Sequence, residues 1–84
     1  MNTLEDVLQM LDDVLGLNGR ALAFQPDTPL LGALPELDSM AVVTLVTAME
    51  DRFGIAVSDD EISGETFANV ASLTQYVYDK LKGG

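Results

Sequence analysis

Between Ser39 and Phe53 the chain runs for fifteen residues without a glycine or proline, and no other stretch constrains the fold as strongly. Val42, Leu45, Val46, Met49 and Phe53 recur at three- and four-residue steps, with Val43 beside them. That spacing predicts an amphipathic helix over 39–53, about 22 Å long at 1.5 Å per residue. Asp38 or Ser39 is placed to cap its start, Arg52 lies near its end, and Gly54 stops it. A helix with one apolar face has to bury that face against other elements, so the rest of the chain must supply them.

Two further segments carry the same period. Leu4, Val7, Leu8, Leu11, Val14 and Leu15 predict a first helix over 3–15, with Thr3 as its cap, Glu5 and Asp6 in its first turn, and Gly16 at its end. Val70, Leu73, Val77 and Leu81, with Tyr76 at the flank, predict a last helix over 70–82, capped by Asn69, with Lys80 and Lys82 in its final turn. Ser58-Asp59-Asp60-Glu61 reads as a capping box that opens a short helix over 59–63, disturbed by Gly64. Ile55-Ala56-Val57 has no partner strand in view and is expected to be an extended connector.

The stretch 16–37 breaks the pattern with Gly16, Gly19, Pro26, Pro29, Gly32 and Pro35, and Pro26-Asp27-Thr28-Pro29 reads as a turn. Its Leu17, Leu22, Phe24, Leu30, Leu31, Leu34 and Leu37 are too many apolar residues for a solvated linker, so it should pack across the helices. Long loops in small domains are often functional. The expected architecture is all-α: one domain over 1–84, a small four-helix bundle of three longer helices and one short one, with a long first loop.

Composition excludes most enzyme classes. The chain has no cysteine and no histidine, which removes thiol nucleophiles, Ser-His-Asp triads, disulfides and the usual zinc sites. Four basic against fourteen acidic residues give a net charge of −10. Nucleic acid and anionic membrane surfaces are bound through Lys and Arg, so neither is an expected partner; a cationic protein is. The opening residues lack a basic, apolar leader pattern, and no apolar run is long enough to span a bilayer, so the expected setting is cytoplasmic.

The most informative stretch is Leu34-Pro35-Glu36-Leu37-Asp38-Ser39-Met40, which sets a serine at the start of the central helix. Ser39 could serve only as a cap. Capping serines are the commoner case, but it could also be a modified serine, because a phosphate ester at a helix N-terminus faces free N–H groups and the positive end of the dipole.

Over nearly its whole length the sequence resembles the acyl carrier protein family. The resemblance rests on the acidic first helix, the long loop with Pro26-Asp27-Thr28, Asp38-Ser39-Met40 opening the second helix, the acidic Ser58-Asp59-Asp60-Glu61 turn, and the closing Phe67-Ala68-Asn69-Val70-Ala71-Ser72-Leu73. It implies a freestanding carrier with no catalytic residues of its own. Ser39 would hold 4′-phosphopantetheine donated from coenzyme A by a phosphopantetheinyl transferase, flanked by Asp38 and Met40. The arm's thiol would carry acyl intermediates as thioesters to loading and processing enzymes. The resemblance further implies that Glu50, Asp51, Asp59, Asp60 and Glu61 meet basic patches on those enzymes, and that Val57 and Ile62 line a pocket for the arm and its cargo. On their own, such acids read as solvated helix faces. The expected state is a monomer.

Met40 stands where the family usually has leucine, Glu36-Leu37 where many members have a glycine before Asp-Ser, and Thr44 and Thr47 at outward positions that often carry an acid and an apolar residue. These departures point to a specialised carrier rather than the housekeeping carrier of fatty-acid synthesis. The alternatives are an aminoacyl or peptidyl carrier, against which Asp38 weighs, and an unmodified acidic helical adaptor. Two other motifs fail. An EF-hand loop from Asp59 would place Val70 where a bidentate glutamate is required, leaving no metal site. The Gly83-Gly84 tail resembles ubiquitin-like termini, but the strand pattern of that fold is missing.

Overall fold

A computed structural model describes residues 3–83, except for the side chain of Asp59. Three helices form where the apolar period is longest: α1 (Thr3–Leu15), α2 (Ser39–Phe53) and α3 (Val70–Gly83). Thr3 is the first residue inside α1, not the cap before it. Gly54 takes φ 65°, a left-handed conformation that closes α2 through a bond from its own N–H to Glu50 O. α3 starts on a reciprocal cap: Asn69 Oδ1 accepts from Ser72 N at 2.8 Å, and Ser72 Oγ accepts from Asn69 N at 3.2 Å.

α1 is the element against which the others pack; α2 and α3 touch each other more sparsely than either touches α1. The core holds Val7, Leu8, Met10 and Leu11 from α1, Leu45 and Met49 from α2, and Phe67, Val70, Leu73 and Val77 at and within α3. Val42, Val46 and Phe53 are only half-buried, and Leu81 is exposed, so the apolar stripes of α2 and α3 are narrower in the fold than their spacing predicts. No polar or charged residue is buried among the described residues. Two side-chain oxygens, Glu36 Oε1 and Thr74 Oγ1, are nonetheless buried without a hydrogen-bond partner among the described residues.

The long loop packs in part as expected: Phe24 and Leu34 are half-buried, while Leu22 and Leu31 are exposed. Leu17, Ala21, Leu30 and Leu37 are core residues, and a 3₁₀ turn at Arg20–Ala23, which the apolar period does not announce, lays Ala21 inward. Backbone bonds tie the loop to the start of α3: Leu30 N to Ala68 O and Leu31 N to Phe67 O, both 2.9 Å, and Val70 N to Thr28 O at 3.0 Å. The only strand-like pairing among the described residues is the isolated bridge between Pro29 and Asn69.

The short helix expected over 59–63 is a 3₁₀ turn at Asp59–Glu61. Its capping box forms, with Ser58 N donating to Glu61 Oε1 at 3.0 Å. The helix goes no further because Ser63 and Thr66 bond each other locally around Gly64, where Thr66 N donates to Ser63 Oγ at 3.3 Å. Residues 55–58 form a connector without regular secondary structure. No helix among the described residues is long and apolar enough to cross a membrane. Gly84 of the Gly-Gly tail lies outside the described residues, and α3 runs through Gly83.

Candidate functional site

The entry to α2 is rigidly built. Leu30 and Leu37 are buried, Leu34 N and Leu37 N bond to Leu30 O and Leu34 O at 3.0 Å, and Glu36 Oε2 lies 2.7 Å from Arg20 Nη2. The backbone N–H of Glu36 and the Arg20 guanidinium together hold the Glu36 carboxyl below the usual range. Where the family often has a glycine, this chain has an ion-paired side chain bracing the loop.

Asp38 then adopts extended backbone (φ −104°, ψ −174°), and its Oδ1 accepts from Ala41 N at 2.8 Å. Asp38 is therefore the cap, and Ser39 is the first helical residue. The Ser39 side chain is exposed and its hydroxyl has no hydrogen-bond partner among the described residues. Val42 N is satisfied by Asp38 O at 3.0 Å, so the N–H groups of Ser39 and Met40 are the two at this helix end with no protein acceptor. A free hydroxyl beside two unpaired N–H donors and the positive end of a fifteen-residue helix is an arrangement that fits a phosphodiester. Met40, 74% exposed, stands beside it as an uncovered apolar side chain.

Along α2 from this end runs a groove of about 310 Å³, lined by Val42, Val43, Val46 and Thr47 with Ile62 opposite. Thr47 donates its hydroxyl to Val43 O at 3.2 Å, and Thr44 donates to Met40 O at 3.1 Å, so neither offers a free donor. Of the two residues expected to line a pocket for the arm, Ile62 lines this groove and Val57 does not. Val57 is half-buried against the core, and its N–H donates to Glu50 Oε2 at 3.2 Å. The lining that sequence reasoning missed comes from α2 itself. Val43, off the predicted buried face, and the outward Thr47 were its visible signals. A larger cleft of about 610 Å³ lies between the first turn of α1 and α3, lined by residues such as Leu4, Thr74 and Tyr78. None of the sequence-predicted site residues reaches it.

The acidic residues divide. Asp51 and Asp60 are exposed, and Glu50 is exposed while accepting from Val57 N. The side chain of Asp59 lies outside the described residues. Glu61 is committed internally: Oε2 is 2.8 Å from Lys80 Nζ, and Oε1 accepts from Ser58 N at 3.0 Å and Tyr76 Oη at 3.3 Å. Lys80 in particular holds its carboxyl below the usual range, with Ser58 N and Tyr76 adding to the effect. Burial, with the Glu61 charge beside it, pushes the Tyr76 phenol up to about 12. Arg52 pairs with Asp13 at 2.7 Å, and Lys82 sits 6.0 Å from the centre of the Tyr78 ring. Each of the four cations thus has an anionic or aromatic neighbour within the fold. Glu50, Asp51 and Asp60 have no cation partner among the described residues.

With this geometry in place, the chain can be set beside known proteins. A sequence model of the family described as "Phosphopantetheine attachment site" matches residues 5–77. An acyl carrier protein of Helicobacter acinonychis (strain Sheeba) is 29% identical over 80 residues, 94% of this chain and 95% of that one. The solution NMR structure of a holo acyl carrier protein from Nitrosomonas europaea superposes with a TM-score of 0.89 at 48% identity, covering 98% of this chain and 99% of that one.

Proposed function

Since this chain belongs to the phosphopantetheine-attachment family of acyl carrier proteins, we propose that Ser39 is the residue that bears its 4′-phosphopantetheine arm. The chain is a carrier rather than an enzyme. The observation that carries the assignment is the division of labour at the start of α2: Asp38 takes the cap, which leaves the Ser39 oxygen free. An unmodified adaptor with a capping serine loses its support at the same point.

The arm supplies a terminal thiol on which an acyl group is held as a thioester. The protein supplies the rest. Ser39 provides the oxygen of the phosphodiester, the Ser39 and Met40 N–H groups face its charge, and the ion-paired loop at Glu36 keeps the site outward. The groove along α2, with Ile62 opposite, is where an apolar cargo would shelter. Glu50, Asp51 and Asp60 are the open acids that a basic docking patch on a phosphopantetheinyl transferase, or on an acyl-loading or acyl-processing enzyme, would meet; such rim charges set encounter rate and orientation. Glu61 is removed from the docking set, because Lys80 already neutralises it. Met40, Glu36-Leu37, Thr44 and Thr47 support a specialised acyl carrier. An aminoacyl or peptidyl carrier is told apart by the cargo on the thiol after purification.

Intact-mass measurement tests the assignment. Incubated with coenzyme A and a broad-specificity phosphopantetheinyl transferase, the native chain should gain one arm and Ser39→Ala none. A native chain that gains nothing, or a modified Ser39→Ala, overturns it.

A further inference from the structure

The connector between α2 and α3 is held unevenly. From Ile55 to Thr66 it makes no backbone–backbone hydrogen bond to another element among the described residues; its backbone meets the helices only through side chains, Val57 N donating to Glu50 Oε2 at 3.2 Å and Thr66 O accepting from Ser72 Oγ at 3.0 Å. Its backbone–backbone bonds are internal, as from Glu61 N to Ser58 O at 2.9 Å. From Phe67 onward the chain is welded to the long loop by the 2.9 Å bonds from Leu30 and Leu31. In the loose part the polar ties are made by side chains. Several converge on Glu61, whose carboxylate reaches α3 at Lys80 (2.8 Å) and Tyr76 (3.3 Å) while its carbonyl accepts from Thr66 Oγ1 at 3.1 Å. The pair is partly shielded, with 24% of the Lys80 side chain and 33% of the Glu61 side chain exposed. The next residue, Ile62, is the one groove wall that does not belong to α2.

We propose that the Glu61–Lys80 pair is a strap: by anchoring the connector to α3 it holds the Ile62 wall in place and sets how far the groove along α2 opens. α2 and α3 touch only sparsely, and the other polar ties from the connector to the helices lie at its two ends, Val57 to Glu50 and Thr66 to Ser72, away from Ile62. The consequence for a carried acyl group rests on Ser39 being the attachment site; the strap itself does not.

The chain has no cysteine, so a single introduced thiol reports access without background. The experiment uses the full, unmodified chain with Val46→Cys in the groove, or Val7→Cys in the core under α1, and measures the rate of labelling by a small thiol reagent. Lys80→Met or Glu61→Gln should speed labelling of Val46→Cys about tenfold, the scale expected when a charged hydrogen bond is lost. Val7→Cys should keep its rate, and Lys80→Arg, which retains the charge, should restore slow labelling at Val46→Cys. Equal acceleration at both sites overturns the strap, because the pair would then serve only global stability. No acceleration at either site also overturns it, because apolar contacts alone would hold Ile62. Neither readout needs the arm, so a chain that fails to load on Ser39 counts against the attachment reading and not against the strap.

Discussion

Two neighbouring alanine variants separate the roles of Asp38 and Ser39. Asp38→Ala deletes the acceptor that lies 2.8 Å from Ala41 N and hands that donor to water. Loss of an N-cap of this kind costs about 0.5–2 kcal/mol, and the carboxylate's favourable interaction with the helix dipole goes with it. For 84 residues, an unfolding entropy of about 2.1 cal/mol/K per residue gives roughly 0.18 kcal/mol/K. A loss of about 1 kcal/mol therefore lowers Tm by about 6 °C. Ser39→Ala deletes a hydroxyl with no partner and puts a better helix former at the first helical position, so its Tm should hold within about 2 °C or rise. Thermal unfolding followed by far-ultraviolet circular dichroism measures both. Loading should run the other way, with Asp38→Ala still accepting the arm and Ser39→Ala refusing it. If Ser39→Ala destabilises as much as Asp38→Ala, the serine hydroxyl is acting as a cap in solution, and the reasoning that left it free is refuted.

Reversing Glu50 and Asp51 to Lys should slow arm transfer to Ser39 most at low salt, since attraction to a basic patch becomes repulsion that salt screens; helicity should persist, apart from the tie between Glu50 and Val57 N. Equal transfer rates for this variant and the native chain at low ionic strength would remove the end of α2 from the recognition surface. A net charge of −10 makes the fold self-repulsive, so Tm should climb from low to moderate salt, and a flat profile would count against that. The Tyr76 phenol, raised from 10.0 to about 12 in the fold, loses its proton first in the unfolded chain. Stability should therefore be fully present below pH ~10 and decline up to pH ~12. Tyr76→Phe should lack that part of the decline, and parallel Tm–pH curves for the two chains would refute the linkage.

What this sequence determined by itself is what short-range physics controls. The period of Leu4 to Leu15, Val42 to Phe53 and Val70 to Val77 sets the three helices because a helix face repeats every three to four residues, whatever it later touches. Gly54 and Asn69 end and begin helices through bonds spanning three or four residues, which a linear reading can place. The choice between Asp38 and Ser39 as cap stayed open because both residue types cap well, and the two positions differ by one residue.

The tertiary structure decided everything that depends on how those pieces face one another. Leu17, Ala21, Leu30 and Leu37 entered the core because the loop folded back over α1 and α3, which apolar content suggested but no periodicity could locate. Arg52 reached Asp13 across 39 positions, and Tyr76 reached Glu61 across 15. Glu61, which the sequence marks only as the last residue of a capping box, also reaches α3 because Lys80 lies opposite it. Val57 and Ile62 are five residues apart in one connector and both pack against the core, yet only Ile62 also lines the groove. A connector that changes from irregular backbone to a 3₁₀ turn has no fixed repeat to assign its faces, so the surrounding helices assign them.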